Sequence, residues 1–283
     1  MISSRELENR RKSNKSILGV VKAMKALSAA NVRKGGSVLE HTRRYREFVD
    51  QAASVAASLP GVSILPQGEK TLIVAFGSQY GLCGALNERV LEELAEAVRG
   101  RADIAGIIYT GRRIADRAPS LFIPAEDIDA PGSVDGLDET VSELLTMIYN
   151  RYKDEVFGEL LFIYPSFAQD ALMVIRHPVL PPPFKPHEER DLSPVLYIPP
   201  ASVMEGVLEE YIYVQLYATA LETVIAENES RMRSMDYAEK NIKKRIEELS
   251  SSYNYALQEE VTGEILEIIG GYEALGVHLK NKR

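Results

Sequence analysis

The sequence predicts an α/β fold in which two long terminal helices, paired as an antiparallel coiled coil, flank a small Rossmann-like α/β domain. All 14 prolines lie between Pro60 and Pro200, and proline costs a helix interior roughly 3 kcal/mol. The proline-free C-terminal part carries an apolar seam of coiled-coil period. Strand-like and helix-like segments alternate between the two ends. We therefore expect an N-terminal helix over 1–59, an α/β domain over 60–200 and a C-terminal helix over 201–283.

The N-terminal helix is predicted from a broad apolar stripe. The stripe consists of Ile17, Val21, Met24, Ala29 and Val32, and it continues after a gap with Tyr45, Phe48, Val49 and Ala52. The gap contains Gly35 and Gly36, and adjacent glycines mark a weak point in a helix. A bend or a weak point is therefore expected at these glycines.

The C-terminal helix is predicted from a seam that advances by alternate steps of four and three residues. Thirteen of its fifteen positions are apolar, which is typical of a coiled coil. The positions are Val207, Tyr211, Val214, Ala218, Leu221, Ile225, Asn228, Met232, Met235, Glu239, Ile242, Ile246, Leu249, Tyr253 and Ala256. A single helix over 205–276 would be about 110 Å long. Because no single domain has so deep a core, much of this helix is expected to pack outside the chain's own globule.

Charge favours the pairing of the two ends. Residues 1–50 contain 12 basic and 5 acidic residues, whereas residues 205–260 contain 6 basic and 12 acidic residues. An exposed ion pair contributes only about 0–1 kcal/mol, so charge sets which helices pair and the apolar seams provide the stability. The net charge of −8 for the whole chain argues against a protein that coats nucleic acid.

The middle segment is predicted to be a small sheet with helices on its faces. Strands are expected at 71–76, 104–110, 160–164 and 171–176, with a short edge strand at 195–198. Helices are expected at 88–98 and 137–152. Residues 178–200 contain 8 prolines and are predicted to form a rigid irregular connection.

The sequence argues against an enzyme active site on this chain. The segment GSQYGLCG follows a strand and precedes a helix, but it lacks the lysine and hydroxyl residue of GxxxxGK[ST], and its glycines do not match GxGxxG. The four histidines are scattered and Cys83 is the single cysteine, so neither a metal site nor a disulfide is expected. We expect a soluble cytoplasmic protein with no cofactor, no signal peptide and no membrane span.

Three segments together resemble the gamma subunit of F-type ATP synthases. Residues 10–34 (RRKSNKSILGVVKAMKALSAANVRK) are similar to the N-terminal helix of that family. Residues 81–87 (GLCGALN) match its G-L-C-G-x-L-N motif, and residues 227–275 are similar to its C-terminal helix. The motifs follow the family's order, so the resemblance extends over effectively the whole chain.

The resemblance implies a rotor stalk without a catalytic site of its own. In that family the paired terminal helices enter a hexamer of alpha and beta subunits, which carry the nucleotides. The globular domain rests on the epsilon subunit and the ring of membrane c subunits. Ion flow through the c-ring turns the stalk and thereby couples to ATP synthesis or hydrolysis. The resemblance thus implies a peripheral membrane location, on the cytoplasmic side.

The resemblance also assigns individual residues. Contacts with the alpha–beta hexamer are assigned to Lys22, Met24, Arg231, Met232, Met235, Gln258 and Thr262, and a turn on the epsilon and c-ring side to Gly81, Leu82, Cys83 and Gly84. Further motif matches are Ala23, Leu86, Asn87 and Glu229. Judged from the residues alone, Met24 and Met232 also suit a coiled-coil core, and Arg231 also suits a solvated helix face.

Two departures from the family pattern affect these assignments. Gln79-Tyr80 stands where the family usually has Asp-Arg, and Leu257 stands where it usually has arginine before the glutamine that contacts beta. A charge-assisted hydrogen bond contributes roughly 1.5–3 kcal/mol, so its loss could alter how the stalk engages beta. The departures suggest a divergent branch, the gamma-type subunit of an alternative F-type ATPase.

Two other functions remain open at this point. A coiled-coil adaptor or scaffold would use the same helices to form a stable homodimer. A nucleotide-binding α/β enzyme with helical arms would bind its ligand at the loop that contains Gly81 and Gly84.

Overall fold

The fold was obtained as a computed structural model. It describes residues 3–62, 68–118, 123–154, 156–168, 171–183 and 196–280, the last nine of these for the backbone only. In chain order the elements are α1 (Ser4–Ala57), β1 (Lys70–Phe76), α2 (Leu86–Val98), β2 (Ile104–Thr110), α3 (Arg112–Ala115), β3 (Ala125–Ile128), α4 (Leu137–Asp154), β4 (Phe157–Ala168), β5 (Ala171–Leu180) and α5 (Pro200–Lys280). The predicted fold class, terminal helices around a small α/β sheet, is confirmed.

The chain divides into two compact units. The sheet unit comprises Ala26–Ser234, and the coil unit comprises residues 1–25 together with 235–283. Both long helices contribute to both units. The division of the chain into three parts at residues 59 and 200 stays a prediction.

The sheet has the strand order β3-β2-β1-β4-β5. The first four strands run parallel and β5 is antiparallel to β4. Its edge position explains why β5 continues through Pro178, since an edge strand tolerates a missing backbone donor. The predicted edge strand at 195–198 is wrong for its described residues, 196–198, which are not a strand. There Tyr197 is 96% exposed, so no sheet face covers this segment.

The sequence pattern did not predict two elements, β3 and α3. The strand β3 has the sequence AEDI, and only Ile128 of its four residues is buried. Such a short, acidic strand lacks the apolar alternation from which strands are predicted. The helix α3 has four residues, and of these only Ile114 enters the core.

The sheet unit has a hydrophobic layer on each face of the sheet, because alternate residues of a strand point to opposite sides. On one face Leu72, Val74 and Phe76 pack with α4, α5 and Val49 of α1. On the other face Ile73 and Ala75 pack with α2 and α3. The C-terminal helix is therefore part of the globular core and not only of a coiled coil.

In both units α1 and α5 pair antiparallel. In the sheet unit, Asn31 bonds to Asn228 and Tyr45 bonds to Glu210. In the coil unit, the bonded pairs are Ser4 with Glu260 and Lys25 with Asp236. As residue numbers rise along α1 they fall along α5, which confirms the predicted orientation of the pair.

The predicted seam of α5 lies on the inward face. Every one of its positions from Val207 to Ala256 is buried or half-buried. Beyond that point the large apolar side chains that the structure describes, which extend to residue 271, are exposed. They are Leu257, Val261, Ile265, Leu266, Ile268 and Ile269, between 41% and 63% exposed.

The apolar stripe predicted for α1 is partly wrong. Its members Ile17, Tyr45 and Phe48 are 47–64% exposed, whereas Ser28 and Thr42 are buried on the face that packs. Gly35 is also buried there, and a Cβ at this position would lie 2.5 Å from Cγ1 of Ile225. Small side chains let two helices approach closely but carry no apolar signal. At the two adjacent glycines α1 continues as a helix, and the bend or weak point expected there stays a prediction.

A half-buried histidine lies where β5 packs against the two long helices. Nε2 of His177 is 3.2 Å from Oε1 of Gln215 on α5. Arg46 and Asp50 of α1 and Glu222 of α5 are the charged groups that act on it. Burial lowers the pKa of His177 from its ordinary value of 6.5. The neutral imidazole is therefore the form that this interface favours.

The free energy of unfolding of the chain should consequently decrease in mild acid. As the pH falls through about 6.5, the unfolded chain takes up a proton at His177 before the folded chain does, so the free energy of unfolding declines. We expect the His177→Asn variant to lose less stability than the wild type between about pH 7.5 and about pH 5.5. Urea unfolding at both values measures this difference. His41→Asn, at an exposed position, is the control, and equal losses in all three proteins would contradict the prediction.

Candidate functional site

The loop that follows β1, residues 77–85, lies at the point where the chain connections of the sheet diverge. The strand β1 lies between β2 and β4. The chain leaves β1 through α2 toward β2, and it reaches β4 on the other side through α4. In doubly wound sheets this switch point is where ligands bind, outside the carboxyl ends of the strands. The loop is therefore the place at which the fold would hold a ligand.

A segment of α5 occupies this place. The carboxylate of Glu227 accepts hydrogen bonds from the backbone N–H groups of Gln79, at 3.4 Å, and Tyr80, at 3.2 Å. Arg231 donates to the carbonyl oxygens of Tyr80, at 3.3 Å, and Gly81, at 3.2 Å. The same guanidinium forms an ion pair with Glu227. The helix thus satisfies both the donors and the acceptors of the loop.

The ion pair that holds the loop is buried. Glu227 is 3% exposed and Arg231 is 6% exposed. Burial raises the pKa of the Glu227 carboxyl, and Arg231 together with the N–H groups of Tyr80 and Gln79 opposes this effect. Two charges removed from water in this way are stabilised only by their mutual contact and by the surrounding hydrogen bonds. The conformation of the loop and the burial of the ion pair on α5 therefore stabilise each other.

Inside the loop, a second set of hydrogen bonds surrounds Ser78. Its N–H donates to Oδ1 of Asn87 at 2.9 Å, and Nδ2 of Asn87 donates to its hydroxyl at 2.8 Å. The thiol of Cys83 lies 3.4 Å from the same hydroxyl. Burial raises the pKa of Cys83, which favours the thiol over the nucleophilic thiolate.

The backbone of the loop is unusual at Leu82. Its φ angle is +66°, in the left-handed region, and Gly84 has φ +62°. For a residue other than glycine this conformation costs roughly 1–2 kcal/mol. Leu82 is 59% exposed, while the loop beside it is anchored where the hydroxyl of Ser230 donates to the carbonyl oxygen of Cys83 at 2.6 Å. The structure therefore holds an apolar side chain outward on a strained, anchored turn.

Gln79 and Tyr80 connect the loop to the neighbouring strand end. Oε1 of Gln79 accepts hydrogen bonds from the N–H groups of Ala130, at 2.9 Å, and Arg112, at 3.2 Å. The ring of Tyr80 lies against Gly132, where an added Cβ would be 2.9 Å from Cε2. These two residues thus bind the loop laterally, in addition to its anchorage on α5.

Comparison with known proteins identifies the family. The sequence model of the ATP synthase family matches residues 3–275. The ATP synthase gamma chain of Pelotomaculum thermopropionicum is 31% identical over 291 aligned residues, covering 97% of this chain and 100% of the relative. That of Desulforamulus reducens is 32% identical with the same coverage. This chain belongs to the gamma family of ATP synthase subunits.

The fold of the gamma family is found again among solved structures. A chain from the Euglena gracilis mitochondrial ATP synthase has a TM-score of 0.68 at 16% identity, covering 96% of this chain and 94% of the other. At this identity the likeness concerns the fold. It confirms the arrangement of a helical N- and C-terminal region around a small, mostly parallel sheet.

The gamma-family motifs fall into both units. The sheet unit contains Gly81, Leu82, Cys83, Gly84, Arg231 and Met232, and the coil unit contains Lys22, Met24, Met235, Gln258 and Thr262. Lys22, Gln258 and Thr262 are exposed, Met24 and Met232 are half-buried, and Met235 is buried. The hydroxyl of Thr262 donates to the carbonyl oxygen of Gln258 at 2.7 Å, within the helix.

The structure brings together two gamma-family motifs that the sequence assigned to different partners. Arg231 contacts the turn at Gly81, so its guanidinium is neither solvated nor directed outward. Its assignment as a hexamer contact stays a prediction, and beside it stands this internal role. Sequence reasoning missed Glu227 and Ser230. The available signal was the Glu227–Arg231 spacing of four residues, next to the polar Asn228 in an otherwise apolar seam.

Proposed function

We propose that this chain is the central rotor stalk of an F-type ATP synthase, which couples ion flow through a c-ring to ATP synthesis or hydrolysis in an alpha–beta hexamer. The observation that carries the proposal is the match of the whole chain to gamma chains, together with the antiparallel pairing of α1 and α5. A non-catalytic subunit of this kind acts by contact alone. Its relevant surfaces are therefore the exposed ones.

The far part of α5 offers such a surface. Beyond Ala256 its apolar side chains have no cover among the described residues and are 41–63% exposed. We assign this surface, with the exposed residues Gln258 and Thr262, to the alpha–beta hexamer. Lys22, Met24, Arg231, Met232 and Met235 are assigned to the same partner, although Arg231 and Met235 are buried within this chain.

The sheet unit offers the second surface. We assign the turn at Gly81–Gly84, with the outward Leu82, to the side that faces the epsilon subunit and the c-ring. An apolar side chain on a strained turn is a costly feature, and such strain concentrates at functional sites. Since the turn is fixed to α5 through Arg231 and Ser230, force applied there would reach the long helix directly.

The mechanism is a difference in contact free energy. As the stalk turns, its asymmetric helix pair presents a different surface to each beta subunit, and each surface favours a different nucleotide state. An equilibrium is shifted only by a ligand that interacts differently with the two states. The chain itself needs no nucleotide site, and the backbone donors that would bind phosphate are occupied by Glu227.

The location follows from the complex. ATP synthase is a membrane-associated assembly, and among the described residues of this chain no helix is long and apolar enough to cross a bilayer. We propose a peripheral position on the cytoplasmic side, held by the epsilon subunit and the c-ring.

Reconstitution of the full chain with the alpha and beta subunits of the same source tests the proposal. We expect a stoichiometric complex with ATPase activity, in which Gln258→Ala lowers the turnover rate about fivefold without loss of assembly, the equivalent of one neutral hydrogen bond. Ser251→Ala, also exposed on α5 and bonded to its own helix, is the matched control and should have no effect.

Other outcomes would point elsewhere. A stable homodimer that does not bind alpha and beta subunits would favour the adaptor function and contradict the rotor-stalk function.

Reconstitution with the hexamer of an ordinary ATP synthase tests the divergent-branch hypothesis. Full ATPase rates in that hybrid would mean that Leu257 and Gln79-Tyr80 do not mark an alternative ATPase.

A further inference from the structure

We propose that the loop at residues 78–81 is an oxyanion-binding site whose resident ligand is the carboxylate of Glu227. When that side chain is removed, we infer that a free carboxylate or phosphate ion binds in its place. This inference does not depend on the rotor function, because it concerns the chemistry of the loop itself.

The donors of the loop converge on one carboxylate. The N–H groups of Gln79 and Tyr80 both point to Glu227, and the guanidinium of Arg231 closes the site from the helix side. Successive backbone N–H groups after a strand form a concave anion site, and a guanidinium fits carboxylate and phosphate oxygens geometrically. The loop also lies at the sheet's switch point, where such sites occur in doubly wound folds.

The two backbone donors hold the resident carboxylate at long hydrogen-bond distances. Its distances to the two backbone nitrogens are 3.4 Å and 3.2 Å, at or beyond the long end of the usual N–H···O range. The side chain is tethered to α5 and cannot adjust its position freely. A free oxyanion of the right size is not limited by this tether.

Acetate is the first probe, because it has the same heavy atoms as the part that Glu227→Ala removes. Phosphate is larger and carries more charge, so it tests whether the site accepts a tetrahedral oxyanion. Sodium chloride at matched ionic strength corrects for screening. The Glu227→Gln variant fills the same volume with a neutral amide, and it should therefore bind neither ion.

The experiment is thermal unfolding of the full-length Glu227→Ala chain against acetate and, separately, phosphate. We expect a rise in the melting temperature that grows with the logarithm of the ion concentration and reaches about 2–3 °C at ten times the dissociation constant. Amide hydrogen exchange at Gln79 and Tyr80 should slow over the same concentration range. A response to acetate alone would assign a planar carboxylate site, and a response to both would assign a general oxyanion site.

General salt effects need their own control, since phosphate stabilises most proteins by exclusion from their surface. Leu94→Ala is equally a variant of a buried residue, but it lies in the hydrophobic layer formed with α2. A rise in Glu227→Ala no larger than in Leu94→Ala, with unchanged exchange at Gln79 and Tyr80, would overturn the proposal. If Glu227→Ala is unfolded in buffer, refolding by acetate but not by chloride supports the site, and no refolding by either ion overturns it.

Discussion

Replacing Arg231 by alanine is expected to lower the free energy of unfolding by about 3–5 kcal/mol, the usual cost of removing one partner of a buried ion pair. The Glu227 carboxylate would remain 3% exposed without its counter-charge. The carbonyl oxygens of Tyr80 and Gly81 would lose their donor at the same time. Urea unfolding of the full chain measures the loss. Arg245→Ala, which breaks an exposed pair with Glu248, is the matched control and should change little.

A double-mutant cycle distinguishes the ion pair from general packing. If the two charges interact as described, Glu227→Ala combined with Arg231→Ala should cost less than the two single changes added together, with a coupling of about 0.5–3 kcal/mol. Some loss should persist in the double variant, because the N–H groups of Gln79 and Tyr80 and the carbonyl oxygens of Tyr80 and Gly81 lose their partners on α5. Strict additivity of the two changes would contradict this account of the site.

Alanine substitutions at the two adjacent glycines of α1 are expected to have opposite effects. At Gly35 the new Cβ would lie 2.5 Å from Cγ1 of Ile225, and a β-branched side chain in a helix has little freedom to turn away. The overpacking cost of about 1–3 kcal/mol should exceed the gain in helix propensity. At Gly36 nothing lies within 4 Å of the new Cβ, so only the gain of about 0.5–1 kcal/mol remains.

The pair of variants provides its own control, because both replace glycine by alanine in consecutive residues of one helix. Thermal or urea unfolding of the two proteins should therefore shift in opposite directions from the wild type. Equal stabilisation by both changes would mean that α1 and α5 do not approach closely at Gly35.

The elements that the sequence predicted well are those with a strong local or periodic pattern. The seam of α5 repeats over many turns, so its inward face could be read directly from the spacing. The strand β1 is a continuous apolar run, buried from Thr71 to Phe76 as expected for a central parallel strand. By contrast, β3 is short, acidic and largely exposed, and its place in the sheet depends on pairing with β2.

The candidate site could be predicted only in part. GLCGALN was visible as a motif, and Arg231 was visible as part of another. Their contact joins residues separated by 150 positions in the chain. A local sequence pattern cannot predict a contact between residues so far apart in the chain. The same is true of Glu227, which in sequence is only an acidic residue near a seam. In the folded chain it is the ligand of two backbone donors.

The amino-acid sequence by itself determined the terminal helices, the α/β alternation between them and the gamma-family motifs, because periodicity, proline placement and short motifs are properties of neighbouring residues. Only the tertiary structure decided which face of α1 packs, with Ser28, Gly35 and Thr42 inward, and which side chains hold the loop after β1. Close helix approach and buried charge pairing arise between distant segments. Their energies depend on desolvation and on distances that exist only after the chain has folded.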